Sequence, residues 1–227
     1  MSERAAADHV RRWDANYARG RANRYPYEGV VGFVLRRFGA GDRASVRVLD
    51  LGCGGGNHLR FLQNEGFDHY GVDGSQNAVD LSKAAIGGDP EDRVRRSDFR
   101  SLPFPAAWFH AVIDRQALGH NRWSDVPLIV REIERVLRPA GAYYGNVFGR
   151  GTDDLRLGAH LGDGDWADFQ GGLFRDSHLV HAFTLDEVER TFERFDIVRL
   201  VRHERTVVKG GNGTVEGFEI EAIRRAA

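Results

Sequence analysis

The segment Val46-Arg47-Val48-Leu49-Asp50-Leu51 is mostly apolar, and Gly52-Cys53-Gly54-Gly55-Gly56 follows it directly. Glycine takes positive φ at little cost and carries no Cβ, so this run can turn sharply and press its main chain against a bound molecule. A helical pattern starting with Leu59, Phe61 and Leu62 begins at once. The order is strand, tight turn, helix. The helix N-terminus behind the turn favours a carboxylate or phosphate.

Two nucleotide-type ligands use such a turn, and spacing separates them. A dinucleotide fold requires G-x-G-x-x-G, whose third glycine lets helix and strand pack closely. Counting from Gly52, that position is Asn57; counting from Gly54, it is Leu59. Both registers fail, which argues against an NAD-dependent oxidoreductase. The observed D-x-G-x-G-x-G, from Asp50 to Gly56, resembles motif I of the class I S-adenosylmethionine (SAM) methyltransferases.

Further segments continue the resemblance in the expected order. His69-Tyr70-Gly71-Val72-Asp73-Gly74-Ser75 reads as a short strand ending in an acid, 21 positions after Gly52. A carboxylate about 20 residues past the glycine turn can accept from both ribose hydroxyls; a solvated strand-end acid is the other reading of Asp73. Ser75 suits the N-cap of a helix over 76–85. In the family, an acid at the place of Asp98 accepts from the adenine amino group, and its neighbour, here Phe99, lines the adenine pocket. A turn acid followed by a core phenylalanine fits the same two residues. Residues 109–120 resemble the fourth strand and its loop, with His110 where family members usually carry an acid.

Ser124 is the expected N-cap of a helix ending near Leu137, stopped by Pro139. Val126, Ile129, Val130, Ile133, Val136 and Leu137 share one of its faces. The turn Leu137-Arg138-Pro139-Ala140-Gly141 then leads into a strand. The resemblance spans roughly residues 46–149. It implies an α/β, Rossmann-like fold with a mostly parallel seven-stranded sheet and a C-terminal antiparallel hairpin. It also implies SAM as cofactor, held by Asp50, Gly52, Cys53, Gly54, Gly56, Asn57, Asp73, Gly74, Asp98, Phe99 and Asp114.

The 227 residues read as one domain, 1–227, with a core of ordinary size. The formal net charge of −1 argues against nucleic acid as a main partner. No apolar run approaches the roughly 20 residues of a membrane span, and the first residues lack the apolar stretch of a signal peptide. Cys53 is the single cysteine, so intramolecular disulfides are excluded and a cytoplasmic location is expected. Inside the glycine turn Cys53 reads as a nucleophile without an evident base, or as a small wall residue.

Residues 1–43 form an N-terminal helical cap, with helices expected over 9–17 and 27–38. Trp13-Asp14-Ala15-Asn16-Tyr17 resembles the opening of small bacterial methyltransferases acting on small molecules. Tyr17 and Tyr25 are candidates to face the sulfonium with their rings; Trp13 and Tyr17, four apart, also suit a simple staple onto the core. Residues 149–183 break the alternating pattern and read as a lid or substrate insertion. With the N-terminal cap they are expected to close over the acceptor and to exchange amide protons quickly until they do. A helix over 184–195, capped by Thr184, precedes strands over 196–208 and 214–224. Gly210-Gly211-Asn212-Gly213 between those strands signals a hairpin.

Methyl transfer from a sulfonium is an in-line displacement, in which alignment supplies much of the rate and proton removal from the acceptor the rest. His120, in the loop after the fourth strand, is a candidate base. His178 and His181 in the insertion are rivals, with His160 beside them. His178 and His181 with Asp163 and Asp165 lack a recognised ligand spacing, so no metal is expected. The reading is a SAM-dependent methyltransferase for a small-molecule acceptor such as a sugar or specialised metabolite, as monomer or homodimer. A non-catalytic SAM-binding or regulatory module is the alternative.

Overall fold

The computed structural model describes residues 3–20, 22–88, 92–209 and 213–226. Helices α1 (Glu3–Ala18) and α2 (Glu28–Phe38) precede β1 (Arg47–Leu51), and α3 (Asn57–Asn64) follows the glycine turn. The alternation continues through β2 (Asp68–Asp73), α4 (Gln76–Ala85), β3 (Val94–Arg96), β4 (Phe109–Arg115), α5 (Val126–Val136) and β5 (Leu137–Phe148). Three short strands then interrupt it, β6 (Ala159–Gly162), β7 (Asp165–Ala167) and β8 (Leu179–His181). Helix α6 (Leu185–Thr191) and the long pair β9 (Phe195–Val207) and β10 (Gly213–Arg224) complete the described chain.

Seven strands form one sheet in the order β3-β2-β1-β4-β5-β10-β9. β1 to β5 pair in parallel, and β10 runs antiparallel to both β5 and β9. The expected sheet and terminal antiparallel pair are therefore present; the predicted turn at Gly210-Gly211-Asn212 lies outside the described residues. Strand alternation divides the core. Val48, Ala111 and Ile113 face α2 with Val30, Phe33 and Val34, while Leu49 and Val112 face α5 with Ile129 and Ile133. Each of the larger side chains among these, once buried, contributes about 1.5–3 kcal/mol, so sequence periodicity and sheet topology reinforce each other.

Local signals hold at some ends and shift at others. Ser75 accepts from the Ala78 N–H, and Thr184 forms a full capping box with Glu187. Ser124, by contrast, does not cap α5. The N-cap is Asp125, whose carboxylate accepts from Arg100 at 3.2 Å, and Pro127, second residue of the helix, brings a φ already set for the first turn. Pro139 falls inside β5, and the register against β4 slips between Phe109 and Ala111, where Ala140 takes φ +58°. The helix stops two residues before the proline because the chain has already turned into the strand.

The 149–183 segment is more ordered than a lid read from composition. β6, β7 and β8 form a three-stranded antiparallel sheet, built on a separate buried cluster of Phe148, Leu155, Phe169, Phe174, Val180 and Ala182. The aromatics that look scattered in sequence meet in that cluster.

Helix α1 attaches through polar contacts. Asp14 accepts from the Ser75 hydroxyl at 2.6 Å, the Asn77 N–H at 3.0 Å and the Asn77 side-chain amide at 2.8 Å. Asn16 donates to the Asp176 carbonyl at 2.9 Å, and Arg12 lies 3.5 Å from Asp168. Thus α1 bridges the start of α4 and the insertion. No helix among the described residues is long and apolar enough to cross a membrane.

Asp14→Ala is expected to loosen α1 by about 1.5 kcal/mol, the low end for bonds to a charged group at a partly solvated site. Hydrogen exchange should show faster amides over 10–18 with the sheet unchanged. The Ser75 and Asn77 bonds hold the Asp14 carboxyl below its usual value. Its contribution is therefore present above that value and lost on acidification below about pH 4.

Candidate functional site

β1 sends its chain outward to β2 and β3, whereas β4 sends its chain the other way, to β5. The carboxyl ends of β1 and β4 therefore diverge, and ligands bind at such a switch point. Gly52, at φ +73°, sits so close to Ala117 after β4 that a Cβ would run into the Ala117 methyl. The two loops meet there, and a cavity of about 1300 Å³ opens above them. That exceeds the roughly 300–1,000 Å³ of a single small-ligand pocket, leaving room for two ligands.

Asp73 ends β2 on the cavity wall. One carboxylate oxygen accepts from the Gly54 N–H at 3.0 Å and the other from the Ser75 N–H at 2.9 Å. Burial pushes its pKa up to about 6, against the opposing pull of those backbone bonds. A buried carboxylate with lone pairs to spare, held by main chain on both sides, is a fixed acceptor for hydroxyl groups.

The structure sorts the predicted cofactor residues. Gly52, Cys53, Gly54, Asn57, Asp73, Gly74, Asp98, Phe99 and Tyr17 line the cavity. Gly56, Asp50, Asp114 and Tyr25 do not. Gly56 caps α3 at φ +78°, where a Cβ would stand 2.8 Å from the Ser82 Cα, so it serves helix packing. Asp50 lies beneath the turn with both oxygens 3.4 Å from His58 Nδ1. Asp114 spends its carboxylate on the Ala117 and Leu118 N–H groups and the Tyr143 hydroxyl. Burial pushes its pKa up to about 7; it shapes the loop instead of facing a ligand. Tyr25 is 77% exposed.

The Tyr25 carbonyl accepts from the Asn57 side chain at 2.8 Å, so the residue that breaks the dinucleotide pattern anchors the N-terminal segment. Tyr27 takes the inward place instead, and Arg115 stands over its ring at 4.0 Å. The Tyr17 hydroxyl presses on the turn, 2.7 Å from where a Cβ on Gly54 would lie. Cys53 is buried beside the Ser82 hydroxyl at 3.4 Å, and burial pushes its thiol well above the usual value. It is a wall residue, not a nucleophile.

At the other end, Trp13 sets its ring edge-on to His120 at 4.9 Å. His120 Nδ1 lies 3.0 Å from the Leu179 carbonyl, which assigns the proton to Nδ1 and leaves a lone pair on Nε2. Burial pushes the His120 pKa down to about 4, with the Arg115 charge acting in the same direction. His178 also lines the cavity, 3.8 Å from Asp168. His181 is a correction to the predicted candidates. It is fully buried, 2.8 Å from Asp165 and stacked on Trp123 at 4.8 Å, away from the cavity. His160 packs on Trp166 at 4.6 Å. Among the described residues no three His, Cys, Asp or Glu side chains gather as metal ligands.

Asp98 and Phe99 come together with Asp73 on one side of the cavity. Asp98 is gripped by the Arg100 guanidinium at 2.7 Å, which holds its carboxyl below the usual range. Arg115, Tyr27 and Trp13 complete the opposite side. Sequence reading passed over Arg115 and Tyr27; strand alternation beyond Asp114 was the signal available for Arg115.

Residues 49–145 match the model of a methyltransferase domain. The 27-O-demethylrifamycin SV methyltransferase of Amycolatopsis mediterranei is 34% identical over 105 residues, covering 44% of this chain and 37% of that protein. The malonyl-[acyl-carrier protein] O-methyltransferase of Halorhodospira halophila is 34% identical over 147 residues, covering 59% of this chain and 45% of its own. The chain thus spans less than half the length of these curated relatives. A crystal structure of Burkholderia thailandensis 1,6-didemethyltoxoflavin-N1-methyltransferase, with its acceptor and S-adenosylhomocysteine bound, superposes with a TM-score of 0.67 at 18% identity, covering 100% of this chain and 92% of that one. The sheet order and the glycine turn agree with that match: residues 49–145 are similar to a methyltransferase domain, and the chain has the Rossmann-like fold of the class I methyltransferases.

Proposed function

We propose that the protein transfers a methyl group from SAM to a small-molecule acceptor. One observation carries the reading: the glycine turn, a buried Asp73 and the aromatic side chains Trp13, Tyr17, Tyr27 and Phe99 line one cavity at the carboxyl ends of β1 and β4. The residues suit SAM. Asp73 offers fixed oxygens for ribose hydroxyls, Phe99 a flat wall for adenine, and Tyr17 an aromatic face beside Gly54. When bound, SAM supplies a methyl group on a good leaving group. This chain's task is then alignment and exclusion of water.

The acceptor compartment is bounded by Trp13, Tyr27, Arg115, His120, Leu161 and His178. Its size and partial enclosure by α1 favour a small molecule over a polymer. The relative named for 27-O-demethylrifamycin SV is compatible with a specialised metabolite as acceptor. His120, kept neutral, orients the acceptor through Nε2. A single buried cysteine fits the reducing cytoplasm.

Four outcomes are expected. Calorimetry should detect binding of SAM and S-adenosylhomocysteine but not NAD; NAD binding without SAM binding would falsify the reading. Asp73→Ala should weaken S-adenosylhomocysteine binding by about ten- to a hundredfold, since bonds to a charged group contribute about 1.5–3 kcal/mol, with the melting temperature little changed.

The pH dependence follows from the raised pKa of Asp73. Ribose hydroxyls donate to the charged form, so binding lowers that pKa and releases a proton. Affinity should therefore be level above about pH 6 and fall as pH drops below it. A pH-independent affinity between 5 and 8 would remove Asp73 as the ribose acceptor. The fourth outcome concerns the roof: S-adenosylhomocysteine should slow amide exchange over residues 10–18, while β8 of the insertion, already cored, stays protected throughout.

A further inference from the structure

Arginines crowd the cavity, and most have partners. Arg100 pairs with Asp98 and Asp125, Arg122 approaches Asp165 at 3.9 Å, and Arg96 donates to the Gly74 carbonyl. Arg115 differs. It ends β4 on the cavity wall, largely buried, and its described contact is the Tyr27 ring. Among the described residues it forms no ion pair or side-chain hydrogen bond. A guanidinium stays charged at any physiological pH, and an aromatic face only partly replaces lost hydration. A carboxylate or similar oxyanion would complete its fork with two parallel bonds.

The acid–base groups nearby point the same way. His120 is neutral and weakly basic, its Nδ1 proton committed to Leu179. Asp168 lies near Arg12 and His178, and Asp125 near Arg100. Asp73 serves the other compartment. Among the described residues no strong base lies free beside Arg115 to take a proton from an alcohol.

Resting on the methyltransferase reading above, we propose that the acceptor is methylated as an oxyanion, a carboxylate or an acidic enol or phenol, with its charge paired to Arg115. The acceptor oxygen donates a lone pair to the methyl carbon. The oxygen–carbon bond forms as the carbon–sulfur bond breaks, and that bonding pair remains on sulfur. An anion and a sulfonium become a neutral ester or ether and a neutral thioether. No proton is transferred, so a weakly basic His120 is no handicap. The carboxylate of the cofactor's own methionyl group is the rival partner for Arg115, and the test separates the two.

The full chain, saturated with S-adenosylhomocysteine, is titrated with benzoate and benzamide and with cinnamate and cinnamamide. The wild type should bind each acid at least about tenfold more tightly than its amide, the worth of one charge-assisted contact. Arg115→Gln should abolish the preference, Arg115→Lys should keep part of it, and S-adenosylhomocysteine affinity should stay within about threefold in both variants. The lysine variant, which keeps the charge, carries the comparison if the glutamine variant does not fold.

Equal binding of acids and amides by the wild type overturns the proposal. So does a loss of more than about tenfold in S-adenosylhomocysteine affinity in either variant, which would assign Arg115 to the cofactor. If the wild type does not bind S-adenosylhomocysteine at all, the methyltransferase reading falls first. Failure of the acid arm with that binding intact touches Arg115 alone.

Discussion

The close approach of the glycine turn to the loop after β4 sets the geometry on which the site depends. Gly52 has no side chain, so Ala117 can sit against it. Any Cβ there would force the two loops apart and widen the crevice between β1 and β4. The Gly54 N–H reaches Asp73 from one side of this contact. From the other side the 117–121 loop, tied down by Asp114 and Tyr143, carries His120 to the opposite wall. The two walls of the cavity are thus referenced to a single steric contact.

Three aspartates at strand ends show how one residue type is put to different uses. Asp50 steadies His58 beneath the turn, and His58 Nε2 lies 3.5 Å from the Tyr27 N–H. Asp114 is saturated by donors from its own loop and from Tyr143. Asp73 alone opens onto the cavity with acceptor capacity left over. Burial raises the pKa of both Asp73 and Asp114, so each costs stability as pH rises through its folded value. For Asp114 that cost is offset by loop order. For Asp73 the Gly54 and Ser75 N–H groups offset part of that cost.

Much of this was legible in the sequence because the signals were local. The glycine spacing, the distance from Gly52 to Asp73, and the caps at Ser75 and Thr184 depend on short stretches of backbone. The unread parts depended on contacts between distant segments. The 22–27 stretch is extended and aperiodic, so nothing in it says that Tyr27 turns inward and Tyr25 outward. His178 and His181 look equivalent as letters. Only the pairing of β8 with β7 puts His181 against Asp165 and leaves His178 at the cavity. Asp114 resembles a ligand until Tyr143, from the next strand, is seen to bond with it. The insertion read as loop because its core is assembled from residues spread between 148 and 182.

That separate core has an evolutionary consequence. Leu161, Ala167, Asp168, His178 and Leu179 reach the cavity from an insertion that packs on its own aromatic cluster, whereas the glycine turn and Asp73 belong to the large sheet. Substitutions that reshape that part of the wall are thus buffered from the folding of the large sheet. Descendants of such a chain can vary this wall one residue at a time, without passing through unfolded ancestors.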